Sequence, residues 1–337
     1  MAPETDAPVA PPALEPTVLP TSPRTVLVTG AAGYLGRLVV AQLAVAPEAA
    51  AKVVATDLRA PSDAPAGVVA EALDVTDRAA VDAIVAKHRP DVIVHLAAIV
   101  TPPKGADARE LARRVDVDGT RHVLEACLAH GVTRIVVTSS GAAYGYHADN
   151  AVRLDEDAPL RGNDVFAYSH HKRLVEEMLA DWRRDHPELH QLVFRPGTIL
   201  GATTKNQITA IFERKVVVGV KGSATPFVFI WDEDVASCLV QGVRDERDGI
   251  FNLAGDGVMT LHEIASALHH PYVALPPKAL RMGLSLLQRY NIGPYGPEQV
   301  MFLQHRPVLA NDRLKDDFGF RPRTTRDVFE LYRRAHA

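Results

Sequence analysis

The stretch TVLVTGAAGYLGRLVV, residues 25–40, decides the fold. TVLVTG (25–30) is a short apolar run stopped by glycine, the mark of a buried parallel strand. LGRLVVAQLAV, which follows, carries apolar residues at three- and four-residue spacing and predicts a helix. Gly30, Gly33 and Gly36 lie between the two. A chain that passes from strand to helix in so few residues must turn tightly, and glycine lets its backbone approach a pyrophosphate more closely than a Cβ would permit. The free N–H groups of the helix start then face the phosphates. KVVATD (52–57) reads as the second strand and ends in Asp57, 21 residues beyond Gly36. That is near the spacing of a carboxylate that holds an adenosine ribose. Asp57 can accept hydrogen bonds from both ribose hydroxyls and would repel a 2′-phosphate. NAD is therefore the expected cofactor, although Arg59 stands close enough to pair with such a phosphate. A turn aspartate leading into LRAPSD is the alternative.

Outward from this unit the alternation continues. VVAEALDV predicts a third strand, a helix follows from about Asp77 to Lys87, and DVIVHLAA (91–98) predicts a fourth strand. A long helix spans roughly Ala108 to His130, TRIVVTSS (133–140) is the fifth strand, a helix covers about Phe166 to Asp185, and QLVFRPG is the sixth strand. Strands alternating with helices predict an α/β, doubly wound parallel sheet of Rossmann type. Beyond Pro196 the rhythm changes to PFVFI, a helix from about Asp234 to Arg244, GIFNLAG, and a capping box TLHE (260–263) that opens another helix. RLKDDFGFRP predicts a helix ending at Phe318, with Gly319 as its cap. The expected division is an NAD-binding domain over 24–195 and a smaller mixed substrate-binding lobe over 196–337, with some segments returning to the main sheet. The first 23 residues are dense in proline, carry only acidic charges and contain no apolar block. They predict a disordered tail rather than a secretory signal.

Composition removes several classes. A net charge of -4 and a pI near 6.4 argue against a nucleic-acid binder. No apolar run reaches the ~18 residues that cross a bilayer, so no membrane partner is expected. The only cysteines, Cys127 and Cys238, form no disulfide framework and fit a reducing, cytoplasmic setting. His170 with His171, and His269 with His270, lack a third ligand, so no metal is predicted. His170 and His171 read as surface or packing residues.

YSHHK puts Tyr168 and Lys172 four residues apart on a helix, hence on one face. A phenol with a pKa of about 10 is a poor base near neutrality. An ammonium within about 4 Å contributes roughly 4 kcal/mol at an effective dielectric near 20, or about three pKa units. Desolvation opposes part of that shift, yet the pair predicts a phenol drawn toward working pH. The tip of the fifth strand, TSS (138–140), supplies hydroxyls that could hold a substrate oxygen.

Taken in order, TGAAGYLG, Asp57, LDV (73–75), HLAA (95–98), DVDGT (116–120), SSGAAYG (139–145), YSHHK and FRPGTILG (194–201) resemble the extended short-chain dehydrogenase/reductase family, in its NAD-dependent epimerase/dehydratase-like branch. The resemblance runs from about Arg24 to the C-terminus and is dense to Gly201. It implies Tyr168 as general acid/base, Lys172 as its electrostatic partner that also binds the nicotinamide ribose, and Ser140 as the hydroxyl that steadies the substrate oxygen. It further implies cofactor contacts from Gly30, Gly33, Tyr34, Leu35, Gly36, Asp57, Asp74, Val75, Leu96, Ala97, Ala98 and Thr198. One departure is Asp116, where the family has asparagine, which puts a water relay at that position in doubt. The resemblance also implies a homodimer, with helices near 108–130 and 166–186 forming a four-helix interface.

Two enzymatic readings follow: a dehydrogenase or ketoreductase acting on an alcohol or ketone, and a redox-neutral epimerase or dehydratase acting on a nucleotide sugar. A non-catalytic NAD sensor would need none of Tyr168, Lys172 and Ser140. Thr198 stands where nucleotide-sugar members that the chain resembles have asparagine, and Thr225, Pro226 and Phe227 stand in the neighbourhood where they carry a basic residue, with Arg214, Lys215, Lys221 and Arg281 left as the cations that could still meet a phosphate. The expected small-molecule substrate is therefore a carbonyl or alcohol with an apolar body. Phe227, Phe229, Trp231 and the leucine-rich LRMGLSLLQRY could wall its pocket, with ordinary core as the alternative that fits most of them.

Overall fold

The computed structural model describes residues 24–100, 107–290 and 296–336. The tail expected over 1–23 lies outside the described residues. The first part of the chain runs β1 (Thr25–Thr29), α1 (Tyr34–Ala44), β2 (Lys52–Asp57), β3 (Val69–Ala72), α2 (Arg78–His88) and β4 (Val92–His95). One helical run follows, made of α3 (Ala108–Arg113), a π-turn (Arg114–Asp118) and α4 (Gly119–His130). Then come β5 (Arg134–Thr138), a 3₁₀ turn (Gly141–Tyr144), α5 (Ala167–Asp185) and β6 (His190–Pro196). The later part comprises β7 (Thr198–Leu200), α6 (Thr209–Phe212), β8 (Val217–Val220), β9 (Pro226–Phe227), β10 (Phe229–Trp231), α7 (Asp232–Arg244) and β11 (Gly249–Leu253). It closes with β12 (Met259–Thr260), α8 (Leu261–Ala267), β13 (Tyr272–Leu275), α9 (Pro277–Arg289), α10 (Gln299–Gln304), α11 (Asp312–Asp316) and α12 (Thr325–Ala335).

Seven parallel strands form the central sheet in the order β11-β6-β5-β4-β1-β2-β3. The order reverses between β1 and β4, and such a switch point opens a crevice at the carboxyl ends of the strands. Side chains along a strand alternate between its two faces, and β1 shows why both faces are covered. Val26 and Val28 join the core under α1 and α7 with Val39, Leu43, Val235 and Leu239. Leu27, between them, joins the opposite core with Val85 of α2, Leu124 of α4 and Leu179 of α5.

Local chemistry sets the element ends. Asp77 caps α2, its carboxylate accepting from the N–H groups of Ala79 and Ala80 at 3.0 and 3.1 Å. Gly131 ends α4 in the left-handed region at φ 69°, where a side chain would be strained. Thr260 and Glu263 form the capping box of α8.

The later segments pair in twos: β7 with β10, β8 with β13, and β9 with β12. Around them lies a third core of Phe212, Phe227, Phe229, Phe329 and Tyr332. One later strand, β11, leaves this group and pairs with β6 in the main sheet. The helix expected to end at Phe318 stops at Asp316, and Gly319 follows at φ 82°. The long helix expected from Ala108 is present as one run, but the π-turn interrupts it where Asp116 turns inward.

Candidate active site

The glycine turn is built by close backbone approach. Gly30 has φ 70°, and a Cβ there would lie 2.6 Å from the backbone nitrogen of Ala97. A Cβ on Gly36 would lie 2.1 Å from the carbonyl oxygen of Gly30. These two glycines let the start of α1 seat directly on the ends of β1 and β4. Gly33 stands at the N-cap of α1 and offers no side chain to satisfy the first N–H groups of the helix. An exposed helix start without a cap is an anion site, so the turn fits the pyrophosphate of a dinucleotide. Asp57 ends β2 and braces this turn, accepting from the N–H of Ala32 at 3.0 Å and of Leu58 at 2.8 Å.

From this turn a cleft of about 770 Å³ runs along the sheet end. Gly30, Gly33, Tyr34, Leu35, Gly36, Leu96, Ala98, Ser140, Tyr168, Lys172 and Thr198 all line it. Ala97 lies behind Gly30 as a backbone contact. Asp74 and Val75 lie beyond the lining: the Asp74 carboxylate accepts from the N–H and hydroxyl of Thr76, and Val75 is buried against Gly119. The Tyr34 hydroxyl donates to Asp232 and accepts from Thr204 at 2.5 Å, joining the glycine turn to the later segments.

Ser140 stands at the N-cap of the 3₁₀ turn after β5. Tyr168 and Lys172 project from the first turns of α5. The Lys172 ammonium donates to the Thr138 carbonyl at 2.8 Å and lies 5.7 Å from the centre of the Tyr168 ring. Burial pushes the Tyr168 phenol up to about 12, with the nearby Asp116 charge adding to the rise and hydrogen bonding to Ser140 opposing it. Burial also pushes Lys172 down, against the pull of Asp116 and Glu176. The expected descent of the phenol toward working pH is therefore not what the site shows. Desolvation of the phenolate dominates, and the Lys172 ammonium gives its hydrogen bond to a backbone carbonyl.

Three features escaped the sequence reading. The first is the contact made by His171, which reads in sequence as a surface or packing residue: it is only 1% exposed, with Nδ1 3.2 Å from Oδ2 of the equally buried Asp116. Residues at i and i+3 share a helix face as surely as i and i+4, so His171 turns inward with Tyr168 and Lys172. His170 does lie outside, against Asp164. The second is a buried brace under the site, where Arg195 of β6 pairs with Glu176 of α5 and donates to the Tyr144 hydroxyl at 2.8 Å. Ser139 donates to the same Glu176 at 2.5 Å. The arginine inside the apolar strand string VFRPG was the available signal, because a buried charge must find a partner.

The third feature is Arg306, in the segment after α10. It lines the cleft, donates to the Thr198 hydroxyl at 2.9 Å, and stacks 4.1 Å from the Phe227 ring centre and 4.5 Å from that of Phe302. Its Nε and Nη1 are buried without partners, and among the described residues no carboxylate pairs with it. Burial pushes its pKa down to about 10, still cationic at neutrality. The expectation of a substrate pocket without arginine is thus overturned. Of the residues that could wall the pocket, the phenylalanines follow the core alternative. Phe227 and Phe229 are fully buried in the third core, and the leucine-rich stretch forms α9, which has no buried residue and lies off the cleft. The cleft's aromatic side is Tyr146, Phe166 and Phe302, with centroids 5.0 to 6.3 Å apart.

Comparison with known proteins agrees with this architecture. Over 322 residues the chain is 29% identical to a 3-diazoavenalumate denitrifying reductase of Streptomyces sp, covering 88% of this chain and 95% of that protein. Over 202 residues it is 33% identical to UDP-glucose 4-epimerase 2 of Oryza sativa subsp. japonica, covering 56% of this chain and 48% of that protein. The crystal structure of UDP-glucose 4-epimerase from Thermotoga maritima superposes with a TM-score of 0.69 at 19% identity, covering 93% of this chain and all of that one. At that identity the likeness is one of fold. Residues 26–254 match one family throughout, and the chain belongs to the NAD dependent epimerase/dehydratase family, whose cofactor is NAD.

Proposed function

We propose that the chain transfers hydride between nicotinamide and a ketone or secondary alcohol that carries an anionic group. Tyr168 handles the proton, Lys172 is its electrostatic partner and Ser140 holds the substrate oxygen. The observation that carries this reading is the convergence of the three side chains on the cleft that begins at the glycine turn. NAD, when bound there, supplies the donor or acceptor of the hydride. A phenol held near 12 is protonated at neutral pH and suits an acid. In the reductive direction the carbonyl carbon gains hydride and the Tyr168 hydroxyl gives its proton to the carbonyl oxygen. The Lys172 ammonium then stabilises the phenolate until solvent restores its proton. Arg306 supports the anionic group, because a buried guanidinium without a carboxylate favours an anion that brings its own charge.

Arg306 also favours a second reading, a redox-neutral epimerase or dehydratase acting on a nucleotide sugar, since a diphosphate would satisfy the same guanidinium. Two of the similar proteins bear the name UDP-glucose 4-epimerase. The deciding experiment is a panel of anionic ketones and alcohols followed at the NADH absorbance band, beside an epimerisation assay without added cofactor. Calorimetry with UDP and dTDP in the presence of NAD accompanies it. Cofactor-dependent turnover without UDP binding is the expected result. Micromolar UDP binding with epimerisation and no net change in NADH would replace the first reading by the second.

A further inference from the structure

Behind Tyr168 the chain carries a buried acid and imidazole in contact. Asp116 is 2% exposed, and Oδ1 accepts from the N–H of Ile99 at 2.8 Å. Its other oxygen faces His171 Nδ1 at 3.2 Å. Ile99 directly follows Ala98, which lines the cleft together with Leu96 two residues earlier. His171 sits on α5 between Tyr168 and Lys172. The π-turn widens the helical run where Asp116 enters, a distortion that recurs at functional sites. One carboxylate therefore bridges the two walls of the cleft.

We propose that Asp116 and His171 are positioning residues for proton transfer by Tyr168: the carboxylate ties the end of β4 to the catalytic helix and sets one negative charge behind the phenol, without touching substrate. The proposal rests on the reading of Tyr168 as the acid. Its physical content is that a charge shielded from water by both walls disfavours a second negative charge on the phenol beside it. The Asp116 charge indeed raises Tyr168, and it raises Lys172 as well. The other ionisable groups around the pair, around Tyr168 and around Lys172 are His95 from β4, Glu176 from α5 beside Lys172, Tyr146 beside Tyr168 from the segment after the 3₁₀ turn, and Glu110 from α3 beside His171. His95 is pushed down to about 3 by burial and so stays neutral, hydrogen-bonded between Thr29 and Thr120. Asp116 is then the one acid acting on Tyr168 and Lys172 together from the rear wall.

The test is a ¹³C-tyrosine NMR titration of the full-length protein with NAD bound, with the Tyr168 resonance identified by its loss in Tyr168→Phe. Asp116→Asn keeps an oxygen for the Ile99 N–H and removes only the charge. Its Tyr168 midpoint should fall by about one pH unit or more, a tenfold gain in acidity. Glu110→Gln, at the exposed end of the same neighbourhood, should leave the midpoint where it is. A mere strut would alter melting temperature and leave the midpoint alone, so an unmoved midpoint in folded Asp116→Asn overturns the proposal. If Asp116→Asn does not fold, His171→Gln decides, because it leaves the carboxylate without its partner. A midpoint above wild type sustains the proposal, and an unmoved or lower one overturns it. Failure of the Tyr168 assignment itself reads differently, as near-normal turnover in Tyr168→Phe.

Discussion

A phenol that burial keeps protonated gives Tyr168 the character of an acid waiting for a base. Tyr168→Phe keeps the ring and loses the proton, so it should bind NAD normally and lose about 10²- to 10⁴-fold in turnover. Cofactor choice is argued at Asp57. Calorimetry should show NAD bound more tightly than NADP, and Asp57→Ala should narrow the ratio about tenfold or more. Equal affinities in the wild type would remove Asp57 from the ribose site. His95 gives a pH dependence of the fold. Its folded pKa of about 3 lies below the ordinary 6.5, so on acidification the unfolded chain binds a proton that the native chain refuses. That contribution is complete above 6.5 and is lost as pH falls toward 3, about 2 kcal/mol by pH 5. His95→Gln should flatten urea-unfolding stability across that window, while a parallel loss in both proteins would assign the acid lability elsewhere. Tyr168, Lys172 and the glycines were legible because local spacing puts them on one face or in one turn. Arg306 was not, because it reaches Thr198 across 108 residues of sequence, and only folding brings the two together.

At the level of elements, the sequence was most readable where hydrophobic period and an end signal agreed. β2 begins and ends as KVVATD predicts, and α8 opens on its capping box. Asp77 shows the energetic weight of such signals. Asp77→Ala leaves the N–H groups of Ala79 and Ala80 unpaired and should lower stability by about 1 kcal/mol, read by denaturant midpoint. The π-turn was illegible, because RVDVD continues a helical period and the widening comes from Asp116 finding Ile99 and His171. LRMGLSLLQRY misled for the opposite reason. In sequence it reads only as a wall for an apolar pocket, and it forms α9 instead, because apolar content says nothing about which surface, if any, a helix covers.

For the molecule as a whole, the homodimer expected from the helical run over 108–130 and from α5 is a proposal with a defined surface. Val115, Leu174 and Met178 are only partly buried along these helices. Sedimentation should give a dimer at micromolar concentration, and Leu174→Glu with Met178→Glu should give a monomer that still binds NAD. A monomeric wild type would refute it. The return of β11 to the main sheet has a consequence of another kind, in time rather than space. β6 ends at Pro196 and its outer neighbour begins at Gly249, so the ribosome must add the intervening residues 197–248 before that edge can close. At about 5–20 residues per second the interval lasts several seconds, during which the nascent chain displays an unpaired apolar strand, LVF, at its growing margin. Synthesis rate through residues 197–248 therefore governs how much of this protein is captured by chaperones or lost to edge-to-edge association before the sheet is complete.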